Sequence, residues 1–251
     1  MIDKLKDRDA LTLVGSVLGL GLILGFIGTA LAPLPDPIGP AAQQFADGAL
    51  TTIELTLVAG ALGLVLGVVA AVGKRSQVLP VRWLADLYVW IIRGTPLMLQ
   101  ILFFFLALPA IAPQLQLSEF WTAVLALSLN VGAYNAEVIR AGIAAVPSGQ
   151  IEAARSLGLS SLYSFWDIVL PQAVRISLPP LANNMVALLK DSSLAYAIGV
   201  VELTMASSRV QAESFRPDIV LPTVAVVYLL LTTTFTQFAA ALERKLAVGK
   251  R

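Results

Sequence analysis

Apolar residues along this chain gather into six long runs, separated by short stretches rich in proline, glycine and charge. The first, residues 10–32, runs 23 positions without a charge, long enough to cross a hydrocarbon core of about 30 Å with some tilt. Acidic and basic residues alternate over residues 1–9, which are expected to form a short solvated tail. A retained span over residues 10–32 is expected rather than a removed signal peptide. Further runs follow at 48–72, 84–108, 121–146, 176–203 and 219–241. The 84–108 run is interrupted by Arg93, Gly94, Thr95 and Pro96. The connections at 33–40 and 108–118 carry several prolines and no Lys or Arg, as outer loops do.

Charge placement turns these runs into a topology. Of the 17 basic residues, all but Lys190, Arg209 and Arg216 fall on segments that a six-span layout puts on one side. The positive-inside rule then sets both termini in the cytoplasm, whereas an odd number of spans would leave one basic terminus outside. Composition agrees: 57% of residues are apolar and only 13% charged, with a mean hydropathy of +0.82. Soluble domains carry about 25% charged residues, so the chain is expected to be an integral membrane protein. A net charge of +1 leaves no basic footprint for nucleic acid. With no cysteine or histidine, disulfides, thiol catalysis and the usual zinc ligand sets are excluded. No GxxxxGK[ST] phosphate loop occurs, so this chain is not expected to hydrolyse ATP or to hold a cofactor.

Residues 145–174 break the apolar pattern most sharply: AVPSGQIEAARSLGLSSLYSFWDIVLPQAV. Two short helices are expected here. Pro147 and Ser148 open the first, since serine suits an N-cap and proline a first turn. Gln150 to Leu157 are good helix formers, and Gly158 sits where a left-handed cap would end the helix. Ser160 or Ser161 can cap a second helix through Val169, ended by Pro171.

This loop resembles the "EAA" loop in the membrane-spanning permease subunits of ABC importers, with Glu152, Ala153, Ala154, Gly158, Ile168, Leu170 and Pro171 at the matching spacing. The blocks RGTPLMLQ (93–100), GAYNAEVIRAGI (132–143), GQIEAARSLGLS (149–160), LPQAVR (170–175) and LLKDSSLAYAIGVVEL (188–203) narrow the resemblance to the polar amino-acid uptake family. The fold expected is an all-α integral membrane protein: a bundle of about six transmembrane helices with a cytoplasmic two-helix coupling loop. Residues 1–44 are expected to hold the N-terminal tail, an extra transmembrane helix and an outer loop. Residues 45–251 would form the ABC permease transmembrane domain. Family members with five spans begin near residue 45, so the extra span puts this N-terminus on the side opposite to theirs.

The resemblance implies a permease subunit of an ATP-driven importer for a polar amino acid, forming half of a pore in the bacterial cytoplasmic (inner) membrane. Its implied partners are a separate ABC ATPase subunit, a second permease copy or paralogue and an extracytoplasmic amino-acid-binding protein. ATP and magnesium would sit on the ATPase. Glu152, Ala153, Ala154, Arg155, Leu157 and Gly158 would couple the loop to that ATPase. Arg155 could instead reach a lipid phosphate. A competing reading lays the whole loop on lipid as an amphipathic hairpin through Tyr163, Phe165 and Trp166.

Candidate pathway or gate residues come from polar positions inside spans. Asn183 and Asn184 are followed seven residues later by Lys190 and Asp191, giving two polar layers about 10 Å apart along the fifth span. Charges at membrane depth are costly and normally face a cavity or the bundle interior. Ser192 and Ser193 extend the polarity, and Pro179 and Pro180 permit a bend. Interhelical hydrogen bonding is the plainer role for this face. Glu137 and Arg140 lie three apart and can pair on one face, in a structural role or against substrate. Arg93 and Thr95 flank a helix break, which either lines a site or is a simple entry turn. Gly60, Gly63 and Gly67 mark close packing of the second span. An ion-coupled secondary transporter using Lys190, Asp191 and Glu137 is the alternative, weakened by the absence of an internal repeat. A non-transporting scaffold would have no need of the charged fifth span.

Overall fold

Eleven α-helical segments, joined by short 3₁₀ and π turns, make up the described part of this computed structural model, which covers residues 2–247. No strand occurs among the described residues. Helix α1 (Ile2–Leu31) already includes the charged segment expected to be a tail. Helix α2 (Ala42–Lys74) and α6 (Glu119–Ala144) form the most extensive pairing in the bundle. Their backbones meet where side chains vanish: a Cβ on Gly67 would lie 2.6 Å from Asn135 Cβ, and one on Gly63 would strike Val131. Small residues are what permit such close helix approach in lipid.

Between them, α3 (Leu79–Gly94) and the segment Leu97–Ile111 meet at a bend of 109°. That second arm comprises α4 (Leu97–Leu102), a π turn and α5 (Leu108–Ile111). Proline at 96 disfavours helical backbone at Thr95, which is extended at φ −121°, ψ 146°. The third run, expected to be interrupted at 93–96, is thus two arms set far from parallel.

The segment after α6 departs from expectation at both ends. Helix α7 (Ser148–Ser156) is preceded by Pro147 at the cap position, so Ser148 lies inside the helix and no side chain caps it. Gly158 takes φ +77°, and Leu159 N–H donates to the Ala154 carbonyl, as a left-handed cap requires. Ser160 Oγ accepts from Tyr163 N–H at 3.2 Å to start α8 (Ser161–Ser164). Pro171 does not end the helix. A π turn at Phe165–Val169 absorbs the position where proline's missing N–H and its ring would break an α ladder, and α9 (Leu170–Asp191) continues without a gap.

The fifth span also ends earlier than its apolar run. A 3₁₀ segment, Ser192–Ile198, follows Asp191, and Gly199 turns the chain at φ +92°. Glu202 then caps α10 (Leu203–Ser214). Its fully buried carboxylate accepts from Thr204 N–H (2.9 Å), Met205 N–H (2.7 Å) and Tyr228 O–H (2.9 Å). The long C-terminal helix α11 (Pro217–Ala247) carries Tyr228 and packs on α1 and α9. Phe45, Ile53, Leu203, Val220 and Leu231 fill the core between α1, α2, α10 and α11. Ile101, Val124, Leu127 and Leu188 fill a second one around α6.

Helices α2, α6 and α11 are each long and apolar enough to cross a bilayer, and the bent pair supplies a fourth crossing if it counts as one span. Of the other long helices, α1 has its apolar stretch at Leu18–Leu31 and α9 is diluted by its asparagines, prolines and charges.

Candidate functional site: a cavity at the helix break

The bend after α3 strands backbone carbonyls that a continuous helix would satisfy. Gln100 supplies the donor. Its buried Nε2 lies 2.8 Å from the Ile92 carbonyl, 3.1 Å from that of Thr95 and 2.9 Å from Thr95 Oγ1. Thr95 Oγ1 in turn donates to the Ile91 carbonyl at 2.9 Å. The other end of the same amide, Gln100 Oε1, accepts from Asn130 Nδ2 on α6 at 3.1 Å. One side chain thus stitches the break shut and fixes it against α6.

A cavity of about 350 Å³ opens at this junction. Thr95 and Pro96 contribute from the break, Asn130 and Tyr134 from α6, and Asn184 and Asp191 from α9. Ala187, Leu188 and Leu194 add apolar wall. Asn184 Nδ2 donates to Asn135 Oδ1 at 2.9 Å, which holds α9 to α6 beside the cavity. The cavity thus brings together a carboxylate, two amides and two hydroxyls, able to offer both hydrogen-bond donors and acceptors to a small zwitterion.

The two polar layers expected on α9 are split between two faces. Asn184 and Asp191, seven apart, line the cavity, while Asn183 and Lys190, offset from them by one position or about 100°, lie exposed on another side. Ser192 is fully buried and bonds to the Leu189 carbonyl at 2.8 Å, and Ser193 is half-buried away from the cavity. Arg93 does not enter the cavity but stacks 5.2 Å over the ring of Tyr134 at its edge.

Glu137 and Arg140 pair as expected, with Arg140 Nε and Nη2 at 3.0 and 2.9 Å from Glu137 Oε2. Neither lines the cavity. Glu137 also meets Lys74 at 2.6 Å, and Lys74 meets Asp86 on α3 at 3.0 Å. Four charges thereby tie the C-terminal end of α2 to α3 and α6, outside the lining of the cavity that holds Asp191.

The loop residues also sort by face. Ala154 is buried. Glu152, Ala153, Arg155, Leu157 and Gly158 are exposed. Leu157 is 80% exposed and Leu162 69%, an apolar surface with nothing of this chain covering it. Gln172 Nε2 donates to Gln150 Oε1 at 2.6 Å, tying α7 to the start of α9.

Residues 63–248 match the sequence profile described as "Binding-protein-dependent transport system inner membrane component". The chain belongs to this family. Among its relatives is the L-cystine transport system permease protein TcyB of Bacillus subtilis (strain 168), 38% identical over 200 residues, covering 79% of this chain and 85% of that one. The glutamine transport system permease protein GlnP of Escherichia coli (strain K12) is 34% identical over 211 residues, covering 84% and 96%. A crystal structure of an amino acid ABC transporter with histidines superposes at a TM-score of 0.77 with 35% identity, over 80% of this chain and 94% of that one. The MetNI methionine ABC transporter, at 19% identity and a TM-score of 0.67, shares the fold.

Binding-protein-dependent permeases of this family are pore-forming inner-membrane components, and ATP hydrolysis belongs to a separate ATPase subunit. The ion-coupled secondary transporter finds no support. This permease carries site features that span-by-span reading missed: Gln100, Asn130 and Tyr134 were passed over as parts of motif blocks or apolar runs. The available signal was the amide itself, since Gln and Asn inside apolar helices need partners.

Proposed function

We propose that this permease forms half of a two-subunit pore that imports a polar amino acid, driven by an ATPase bound at the 145–174 loop. The cavity at the helix break carries this reading: Asp191 offers a carboxylate for the substrate's ammonium, and the amides of Asn130 and Asn184 offer donors for its carboxylate. Relatives named for cystine, arginine and glutamine transport support the substrate class. Exposed Asn183 and Lys190 support the second subunit. Lys190, in the last turn of α9, and Asn183 two turns before it put polar groups on one exposed face, which suits a partner pore or water better than lipid. ATP and magnesium act on the partner. Closure of the ATPases pushes the loop through Glu152 and Leu157, rocks the bundle and opens the cavity alternately to each side. Both termini then lie in the cytoplasm, with residues 1–44 as an added anchor outside the common domain.

The test is uptake by proteoliposomes containing the permease, its ATPase and its binding protein. ATP-dependent accumulation of an amino acid that persists with a protonophore at clamped ATP is expected. Accumulation that follows the proton gradient instead would overturn the proposal.

A further inference from the structure

A second cavity, about 320 Å³, lies between the loop helices and the ends of α2 and α6. Its chemistry differs from the first. Arg75, the residue capping the C-terminus of α2, and Arg155 of α7 both line it, with the hydroxyl residues Ser148 and Ser161. Ile151 and Phe165 supply apolar wall. No carboxylate lines it among the described residues. On α7, Ser148, Ile151 and Arg155 fall within an arc of about 60°, so Arg155 shares the inward side of the helix rather than that of Ala153.

Neither guanidinium has an ion pair or hydrogen bond within the described chain. Other basic groups nearby do: Lys74 meets Asp86 and Glu137, Arg140 meets Glu137, and Arg93 lies over Tyr134. Two exposed arginines that line one hollow with no acidic partner among the described residues suit an anion between them. The position narrows its kind. Arg75 directly follows a 33-residue helix apolar enough to cross the bilayer, and exposed Tyr163 and Trp166 lie close by in the loop, residue types that favour the headgroup level.

We propose that this cavity holds the phosphate of an anionic phospholipid. The planar guanidinium groups of Arg75 and Arg155 suit phosphate oxygens, and the hydroxyls of Ser148 and Ser161 add donors. Ile151 and Phe165 receive the upper, apolar part of the lipid. The bound lipid would brace the loop against the membrane end of α2, so that force applied to α7 reaches the bundle. This proposal concerns the loop alone and holds whichever solute the permease carries.

Native mass spectrometry of the permease–ATPase complex, taken from nanodiscs of phosphatidylcholine mixed with phosphatidylglycerol, tests it. Wild type should retain phosphatidylglycerol in preference to phosphatidylcholine. The double variant Arg75→Gln/Arg155→Gln should lose this preference by roughly tenfold or more, since two charge-assisted contacts go together. The double variant Arg75→Lys/Arg155→Lys should keep part of it, and Arg82→Gln, an exposed position outside the cavity, all of it. No preference in wild type overturns the proposal, even if the glutamine variant fails to fold. Equal retention in wild type and the glutamine variant overturns it too. Displacement of the lipid by millimolar inorganic phosphate would make the site one for free anions and refute the lipid assignment. Unchanged lipid retention with loss of the ATPase would place the arginines in the subunit interface and refute it equally.

Discussion

Replacing Gln100 by Leu removes one amide of similar size from a buried position, and four hydrogen-bond contacts go with it. The Ile92 and Thr95 carbonyls lose their donor, and Asn130 loses its acceptor. A buried polar group left unsatisfied costs about 1–3 kcal/mol. Thr95 and Asn130 border the cavity, where water can replace part of the loss, so the total falls to about 2–4 kcal/mol. At roughly 2–4 °C per kcal/mol for a chain of this size, the melting temperature of the detergent-solubilised permease should fall by about 4–16 °C. Uptake should fall further than stability, because Asn130 and Thr95 move at the cavity wall. Gln100→Glu separates the two halves of the amide: it keeps an acceptor for Asn130 but cannot donate to the carbonyls while ionised. It should therefore destabilise as well. A melting temperature within about 1 °C of wild type for Gln100→Leu, with normal uptake, would show that the break holds without this side chain.

Two other sites make comparable predictions. Gly158→Val forces a β-branched residue into left-handed backbone at φ +77° and should cost about 1–2 kcal/mol, while Glu152→Lys reverses an exposed charge. Both should leave membrane insertion normal and weaken co-purification of the ATPase, and unchanged transport in both would mean that the loop is not the coupling element. Lys74→Met removes one of the two cations on a part-buried Glu137, which keeps Arg140, and should cost about 1.5–3 kcal/mol, whereas Asp86→Asn, half-exposed, should cost under about 1 kcal/mol. Similar melting temperatures for these two variants would dismiss the clamp.

The spans could be found in the sequence because long apolar runs are a local property, and Gly158 because a helix ending in a small loop needs a left-handed residue. What was hidden depends on partners far along the chain. Pro171 looked like a helix end, yet the π turn before it lets α8 and α9 run together. The apolar run to Leu203 concealed the end of α9 at Asp191, because the cap at Glu202 is satisfied by Tyr228, 26 residues away. Glu137 and Arg140 were visible as a pair, but Lys74 and Asp86 come from other helices and settle their role. Asn184 and Asp191 line the cavity, while their neighbours Asn183 and Lys190 lie exposed on another side, a distinction that a rotation of about 100° makes and composition does not.

The cavity as the substrate's route is the central claim, and Asp191→Asn tests it most directly. This change keeps size while removing the one carboxylate on the cavity wall. The quantity to measure is the ratio of amino acid taken up to ATP hydrolysed, in proteoliposomes of the complete complex. A folded, assembled complex that still hydrolyses ATP while this ratio falls by about tenfold or more is the expected result, given that charged hydrogen bonds contribute about 1.5–3 kcal/mol. A ratio equal to wild type would contradict the account and leave Asp191 as a packing residue of α9.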